Sequence, residues 1–342
     1  MASLMKKIGF YKETKHQHLI ETLVPVPKPE GNDLLVEVSA VSINPVDVKI
    51  RQTKQSEKLT VLGFDSVGYV VDKGHTVTNF QVGDRVYYAG TTQRDGSHQQ
   101  YQLVDARVVA KAPTNITNEE AAALPLTSLT AYELLFEKFC LIPEKNANKG
   151  KEILVINGGG GVGSILTQLA AWSGLKVAAT ASPKNFWWLK KNGVDVPVDY
   201  HQPLKPQLEK MRMEQIAYIA VLYDVAPYLE EIKEIVQPLG HIGMIVHTEQ
   251  PIPLSEFKNR SISFDWEYMF TKTDAGVHEE SQGAILRFIA DLIEKKQLHS
   301  HLTKVYSEGI TAASLERAMM EVGSGKGLGK LVVSGGVSRD NT

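Results

Sequence analysis

Three glycines at fixed spacing form the part of the sequence with the clearest chemical meaning. They follow the apolar run of residues 153–156 directly and fit the pattern Gly-x-Gly-x-x-Gly, with an amphipathic helical stretch after them. Between a strand and a helix, such glycines allow a tight turn and leave backbone N–H groups free to bind a pyrophosphate at the helix N-terminus. A purely structural glycine loop is the alternative. The sequence predicts a dinucleotide site at Gly158, Gly160, Gly161, Val162 and Gly163.

The residues after the next predicted strand indicate which dinucleotide binds. Sites selective for NAD usually place a carboxylate about 20 residues past the glycines, to accept from the ribose 2′-hydroxyl. No Asp or Glu occurs from Ser164 to Val194, whereas Ser182 and Lys184 offer a hydroxyl and an ammonium. These groups suit a 2′-phosphate, so the sequence predicts NADPH as the cofactor. Alternatively, Ser182 caps a helix that Pro183 opens and Lys184 is solvated.

The glycine turn requires a parallel sheet to hold it. From residue 151 the sequence alternates apolar runs with helical stretches, a pattern typical of βαβ units. The predicted strands are residues 153–156, 176–180, 217–223 and 241–246. Their nearly continuous apolar character suits strands covered by helices on both faces. This segment therefore predicts a doubly wound Rossmann domain.

The first third of the chain has a different pattern, with short alternating strands separated by turn residues. The predicted strands are residues 34–43, 66–71, 85–88 and 101–110, and a last strand is predicted at residues 330–334. Many short strands with frequent turns indicate a β-rich, barrel-like unit. Helix-forming residues begin at Asn118, and the apolar spacing after residue 270 is again helical.

Composition excludes several classes of protein. The 342 residues carry 37 Lys and Arg against 39 Asp and Glu, a formal charge of -2, without the basic excess typical of nucleic-acid binding. One cysteine, Cys140, cannot form an intramolecular disulfide, which favours a cytoplasmic protein. No apolar run is long enough to cross a bilayer. We therefore expect neither a nucleic acid nor a membrane as partner.

Six short segments together resemble the medium-chain dehydrogenase/reductase family, in particular its quinone oxidoreductase branch and proteins labelled zinc-type alcohol dehydrogenase-like. The likeness covers nearly the whole chain, with the segments in family order. They are residues 44–47, residues 62–68, residues 80–86, residues 121–132, the glycine turn, and Gly329-Lys330.

This resemblance implies the fold class and the domains. A GroES-like, β-rich catalytic domain would comprise residues 1–126 and 267–342, and a Rossmann domain residues 127–266. It also implies that Asn44 and Thr127 are catalytic, that Thr127 and Lys330 contact the cofactor, and that the protein is a homodimer. A turn before Pro45 is the alternative role for Asn44, and a helix cap is the alternative for Thr127.

The residues differ from those of the zinc-dependent members of the family. Those members carry a cysteine at the position of Asn44 and a His-Glu pair at Phe64-Asp65, together with a four-cysteine structural site. A single cysteine cannot supply such ligands, so no zinc is expected. His16 and His18, and likewise His299 and His301, are interpreted as surface or packing residues because no third ligand is evident.

Without a metal to stabilise an alkoxide, oxidation of a simple alcohol is disfavoured. The predicted function is therefore hydride transfer from NADPH to a quinone or an α,β-unsaturated carbonyl, in which conjugation delocalises the developing charge. A non-catalytic NADPH-binding sensor or structural protein is the main alternative. A zinc-dependent alcohol dehydrogenase is the third.

Overall fold

The computed structural model describes residues 3–11, 18–54 and 56–338. The chain divides into two compact units. The β-rich unit contains the residues up to Leu129 and those from Phe270 onward, and the parallel-sheet unit contains Thr130–Met269. The predicted boundaries after residues 126 and 266 lie close to these divisions, a few residues earlier in each case.

The described residues form both strands and helices, with short 3₁₀ turns between some of them. The strands are β1 (Leu4–Gly9), β2 (Ile20–Pro25), β3 (Asp33–Ile43), β4 (Ser66–Lys73), β5 (Arg85–Tyr88), β6 (Tyr101–Asp105), β7 (Ala110–Lys111), β8 (Glu152–Ile156), β9 (Lys176–Ala181), β10 (Val196–Asp199), β11 (Ile216–Val221), β12 (Val236–Met244), β13 (Ser263–Trp266), β14 (Leu302–Tyr306) and β15 (Lys330–Ser334). The α-helices are α1 (Pro45–Thr53), α2 (Asn118–Ala122), α3 (Pro125–Tyr132), α4 (Gly161–Ser173), α5 (Phe186–Lys191), α6 (Leu204–Lys210), α7 (Leu229–Ile235), α8 (Thr271–Ala275), α9 (Glu280–Glu294) and α10 (Ala312–Gly323). A π-helical segment, Glu133–Lys138, continues α3.

The parallel-sheet unit has a six-stranded sheet in the order β10-β9-β8-β11-β12-β13, and every pairing is parallel. Numbered within the unit, this is the order 3-2-1-4-5-6 of a doubly wound dinucleotide-binding fold. In β8, the residues Ile153 to Ile156 are all buried, because the central strand is covered on both faces. The order reverses between β8 and β11, so the turn after β8 lies at the switch point where such folds bind their ligands.

The β-rich unit contains a sheet in the order β14-β15-β3-β4-β5-β7, with β6 also paired to β3. β1 and β2 form a separate antiparallel pair. The predicted strand at residues 101–110 is wrong in its second half: β6 ends at Asp105, and a 3₁₀ turn, Ala106–Val108, separates it from β7. The carboxylate of Asp105 accepts the N–H of Arg107 at 2.8 Å, which closes this turn and interrupts the strand.

None of the helices in the described parts of the chain is both long enough and apolar enough to cross a membrane.

Candidate functional site

The glycine turn joins β8 to α4 in the parallel-sheet unit. Gly160 is the N-cap of α4 and has no side chain to bond the free N–H groups of the first turn. A Cβ built on Gly163 would lie 2.4 Å from the carbonyl oxygen of Asn157 and 2.7 Å from the carbonyl carbon of Gly158. Both are backbone atoms that cannot move aside. The turn therefore packs closely against the start of α4 and keeps its N–H groups available for an anion.

Asn157 stabilises this turn, although no sequence pattern had singled it out. Its φ of 68° lies in the left-handed region, which asparagine adopts more readily than most residues. Its backbone N–H donates to Thr180 Oγ1 at 2.8 Å, and its side-chain Nδ2 donates to the carbonyl oxygen of Leu222 at 3.3 Å. These bonds connect the turn to the ends of β9 and β11, the two strands beside β8.

Ser182 and Lys184 follow the carboxyl end of β9. Ser182 is at the N-cap position of a 3₁₀ turn that Pro183 opens, yet its side chain does not cap that turn. Its Oγ instead lies 2.9 Å from the hydroxyl oxygen of Tyr200, which follows β10. The capping role considered for Ser182 is therefore wrong for its side chain. Lys184 is exposed and close to Ser182 in sequence.

This donor set fits the phosphates of a dinucleotide. It comprises backbone N–H groups at a helix N-terminus, the Ser182 and Tyr200 hydroxyls, and the ammonium of Lys184. The nearby carboxylate of Asp199 is bonded to the backbone N–H and ring Nδ1 of His201, at 3.0 and 2.6 Å. Tyr200 was not predicted, because a residue that follows a different strand carries no local motif.

A buried ion pair lies in the β-rich unit. The side chains of Lys330 and Asp65 are 4% and 0% exposed, and Lys330 Nζ is 2.9 Å from Asp65 Oδ2. The same ammonium donates to Asn44 Oδ1 and to the carbonyl oxygen of Ile43, while Asn44 Nδ2 donates to Asp65 Oδ2 at 2.8 Å. The three donors of the ammonium therefore meet three acceptors.

Strand register explains why these residues meet. β15 runs antiparallel to β3, with Leu331 opposite Ile43, so Lys330 at the start of β15 lies beside Asn44 at the end of β3. β4 pairs with β3 on its other side, with Ser66 opposite Val41, which brings Asp65 to the same end. The other carboxylate oxygen of Asp65 accepts the N–H of Leu126 at 2.7 Å, at the start of α3.

Asp47 supports the same cluster from α1. Its two carboxylate oxygens accept the N–H of Asn44 at 2.8 Å and the N–H of Gly63 at 3.0 Å. Burial raises the pKa of Asp47 to about 7, against the lowering effect of these N–H groups and of Lys330. Asp47 thus holds the backbone of the predicted catalytic Asn44 and connects it to that of Gly63.

Thr127 lies within α3 and not at its cap, contrary to the alternative considered from the sequence. Its Oγ1 is 2.9 Å from Nε2 of His301 and within 3.4 Å of the carbonyl oxygens of Ala123 and Leu124. His301 is fully buried, so of the two roles considered for it, surface or packing residue, only packing agrees with the structure. His16 lies outside the described residues.

The parallel-sheet unit also contains buried carboxyl groups, Glu133 and Glu267. Glu267 follows β13 and donates its backbone N–H to the carbonyl oxygen of Met244 at 2.9 Å. Burial, followed by the neighbouring Glu133 carboxylate, raises the pKa of Glu267. The sequence offered no signal for this pair, because Glu133 and Glu267 come from distant segments.

The structure groups the predicted site residues into two sets. Asn44 and Lys330 are in direct contact in the β-rich unit, and Thr127 follows Leu126, which bonds to the same cluster. The five residues of the glycine turn belong to the parallel-sheet unit together with Ser182 and Lys184. The ammonium of Lys330 is bonded to protein oxygens in this structure, and its contact with the cofactor stays a prediction. Among the described residues, no cluster of three or more His, Cys, Asp or Glu side chains could hold a metal ion.

Comparison with known proteins agrees with these features. Residues 30–114 match the alcohol dehydrogenase GroES-like domain. A zinc-type alcohol dehydrogenase-like protein from Staphylococcus epidermidis is 39% identical over 96% of this chain and 99% of its own length. A 2-methylene-furan-3-one reductase from Solanum lycopersicum is 38% identical over 53% of this chain and 48% of its own length.

A solved structure shows the same fold. The crystal structure of a putative zinc-dependent alcohol dehydrogenase protein from Rhizobium etli CFN 42 superposes with a TM-score of 0.91 and 35% identity, covering 98% of this chain and 99% of that one. The predicted combination of a GroES-like domain and a Rossmann domain is confirmed. The chain therefore belongs to the medium-chain dehydrogenase/reductase family of oxidoreductases.

Proposed function

We propose that the protein transfers hydride from NADPH to a quinone or an α,β-unsaturated carbonyl without a metal ion. The observation that carries this proposal is the buried ammonium of Lys330 between Asn44 and Asp65. These two side chains occupy positions where zinc-dependent relatives are expected to hold their metal. Here their oxygens bind an internal cation, and no thiolate or imidazole among the described residues bonds to them, so the donor set does not suit zinc.

The roles proposed for the cofactor and for the protein follow from the chemistry of the nicotinamide and of the acceptor. When bound, the reduced nicotinamide supplies the hydride. A conjugated acceptor spreads the resulting negative charge onto its oxygen, which requires positioned hydrogen-bond donors more than a Lewis acid. We assign Asn44 and Thr127 to the acceptor and the nicotinamide end, where their neutral polar groups orient the reactants. The name of the tomato relative supports this acceptor class, because 2-methylene-furan-3-one is itself a conjugated ketone.

The remaining features of the proposal concern the assembly and its cellular setting. β13 lies at the edge of the parallel sheet, and its end residues Ser263 and Trp266 are exposed. An edge strand of this kind can pair with the same strand of a second copy. We therefore include a homodimer in the proposal, together with a cytoplasmic location.

The reaction is tested by following NADPH absorbance with panels of quinones, enones and simple alcohols, with and without a chelator. We expect turnover of quinones or enones that the chelator does not change. Alcohol oxidation that the chelator abolishes would contradict the proposal. Tight binding of NADPH without turnover of any acceptor would favour the non-catalytic binding protein.

The choice of NADPH is tested by replacing Ser182 with aspartate. The new carboxylate would repel a 2′-phosphate and accept from a free 2′-hydroxyl, so we expect the Kd for NADPH to rise about 100-fold, while the Kd for NADH stays equal or falls. Tyr200→Phe is the matched milder variant: it removes one hydroxyl and should weaken NADPH binding by about 3- to 10-fold. Equal changes for both nucleotides would show that Ser182 does not select the phosphate.

A further inference from the structure

Thr127 and His301 contact each other in the interior of the β-rich unit, and only one of the two ring nitrogens of His301 takes part in this contact. His301 is 0% exposed, and its Nε2 bonds to Oγ1 of Thr127. Its other ring nitrogen, Nδ1, has no hydrogen-bond partner among the residues that the structure describes. Buried polar atoms are almost always bonded to protein or to ordered water. No described protein group therefore competes for a hydrogen bond at Nδ1.

The hydroxyl of Thr127 has one proton and two directions in which to donate it. The carbonyl oxygens of Ala123 and Leu124, at 3.4 and 3.2 Å, can only accept. If the hydroxyl donates to them, Nε2 must carry the ring proton and donate to Oγ1. If the hydroxyl donates to Nε2 instead, the ring proton is on Nδ1. The pair thus has two neutral arrangements that differ in the position of a proton.

The surroundings keep the ring uncharged. Burial, then the ammonium of Lys330 and the neighbouring His299, lowers the pKa of His301 to about 3. A neutral ring that releases its proton at Nε2 must gain one at Nδ1. Since no described protein group bonds to Nδ1, water is the source of that proton.

We propose that His301 supplies, through the hydroxyl of Thr127, the proton that completes reduction of the acceptor. This inference rests on the proposed function, in which Thr127 contacts the reacting groups. Hydride carries two electrons to the acceptor carbon and leaves an oxyanion on the acceptor. The O–H bond of Thr127 breaks and its proton joins that oxyanion. The oxygen of Thr127 takes the proton from Nε2, and Nδ1 takes one from solvent, so each turnover consumes one solvent proton.

The decisive variant is His301→Gln. A glutamine amide N–H can still donate to Thr127 but cannot pass a proton from one side to the other. We expect kcat to fall about 10- to 100-fold, with the Kd for NADPH and the KM for the acceptor within about 3-fold of wild type. The solvent isotope effect on kcat should rise, and the effect of 4-deuterated NADPH should fall toward 1, because proton transfer becomes slower than hydride transfer.

His299→Gln is the matched control, since it changes a half-buried histidine two residues away that lies outside the proposed proton route and is the smallest of the three influences on the His301 ring; its kcat should stay within about twofold of wild type. A measurement without turnover uses the ¹⁵N NMR shifts of the His301 ring in the cofactor-free protein. Thr127→Val should change the balance of the two ring tautomers. Unchanged tautomers would overturn the assigned pairing.

Failure of this inference differs from failure of the proposed function. If the wild type reduces an acceptor and His301→Gln does so with the same kcat and isotope effects, the proton route is wrong and the proposed function stands. If the wild type reduces no acceptor, the proposed function has failed. Thermal unfolding of each variant shows that a loss of kcat does not reflect loss of the fold.

Discussion

Gly163→Val is expected to abolish dinucleotide binding. A Cβ at this position would lie 2.4 Å from the carbonyl oxygen of Asn157, and valine adds two further methyl groups to a space closed by backbone. The turn would have to open and move the first N–H groups of α4 away from the pyrophosphate. We expect NADPH affinity to fall at least about 100-fold, because several charge-assisted hydrogen bonds are lost together. Titration of NADPH fluorescence measures the change.

Two other glycine variants test whether the loss of NADPH affinity depends on the steric conflict at Gly163. Gly160→Ala would place a Cβ 3.2 Å from Nδ2 of Asn157, a side-chain atom that can move, so a loss of about 3- to 10-fold is expected. Gly327→Ala has no atom within 4 Å of its new Cβ and should bind like wild type. Circular dichroism verifies that Gly163→Val is folded. A folded Gly163→Val protein with NADPH affinity near that of wild type would show that the ligand does not bind at this turn.

Lys330→Met is expected to lower the free energy of unfolding by about 3–5 kcal/mol. The substitution removes the cation and leaves Asp65 buried without its ion pair. Burial already raises the pKa of Asp65, and the ammonium is the main opposing influence. Asn44 also loses the donor to its Oδ1. Urea or thermal unfolding measures the loss.

Lys304→Met is the matched control on the surface. Lys304 Nζ lies 2.6 Å from Glu321 Oε2, with the two side chains 46% and 37% exposed, so less than about 1 kcal/mol is expected. Adding Asp65→Asn to Lys330→Met removes the unpaired charge and should cost less than the sum of the two single changes. A loss below about 1 kcal/mol for Lys330→Met would mean that the pair does not organise the cluster.

Local patterns in the sequence were sufficient to predict the dinucleotide turn. The glycine spacing, the apolar strand before it and the helix after it are all contained in residues 153–170, and the structure places them as β8, a tight turn and α4. The strands predicted at residues 85–88 and 330–334 match β5 and β15. In these segments the local preference and the tertiary environment agree, so a short stretch determines the element.

Prediction was less successful where tertiary contacts determine whether a segment forms a strand. β12 spans Val236–Met244, whereas the predicted strand was residues 241–246, because Pro238 and Gly240 are atypical of a strand interior and obscured its first half. β10, four residues long, was not predicted at all. Its short run resembles loop sequence, and pairing with β9 makes it regular.

The candidate site likewise combines residues that could be predicted from the sequence with contacts that could not. Asn44, Thr127 and Lys330 were singled out from a family resemblance, but no local pattern could reveal that Lys330 bonds to Asp65 from 265 residues away. The pairing of Thr127 with His301 spans 174 residues, and the sequence supported only a surface or packing role for His301, because no third metal ligand was evident. Such contacts depend on the strand register of β3, β4 and β15, which is a property of the folded sheet.

Transfer of deuterium from NADPH labelled at the nicotinamide C4 tests the central claim most directly. The enzyme is first stripped with a chelator, shown by elemental analysis to hold no metal, and then incubated with the labelled cofactor and a simple enone. We predict that mass spectrometry finds one deuterium on the conjugated carbon of the product for each cofactor oxidised. Stripped enzyme that transfers no label, but regains transfer when zinc is added, would contradict the account.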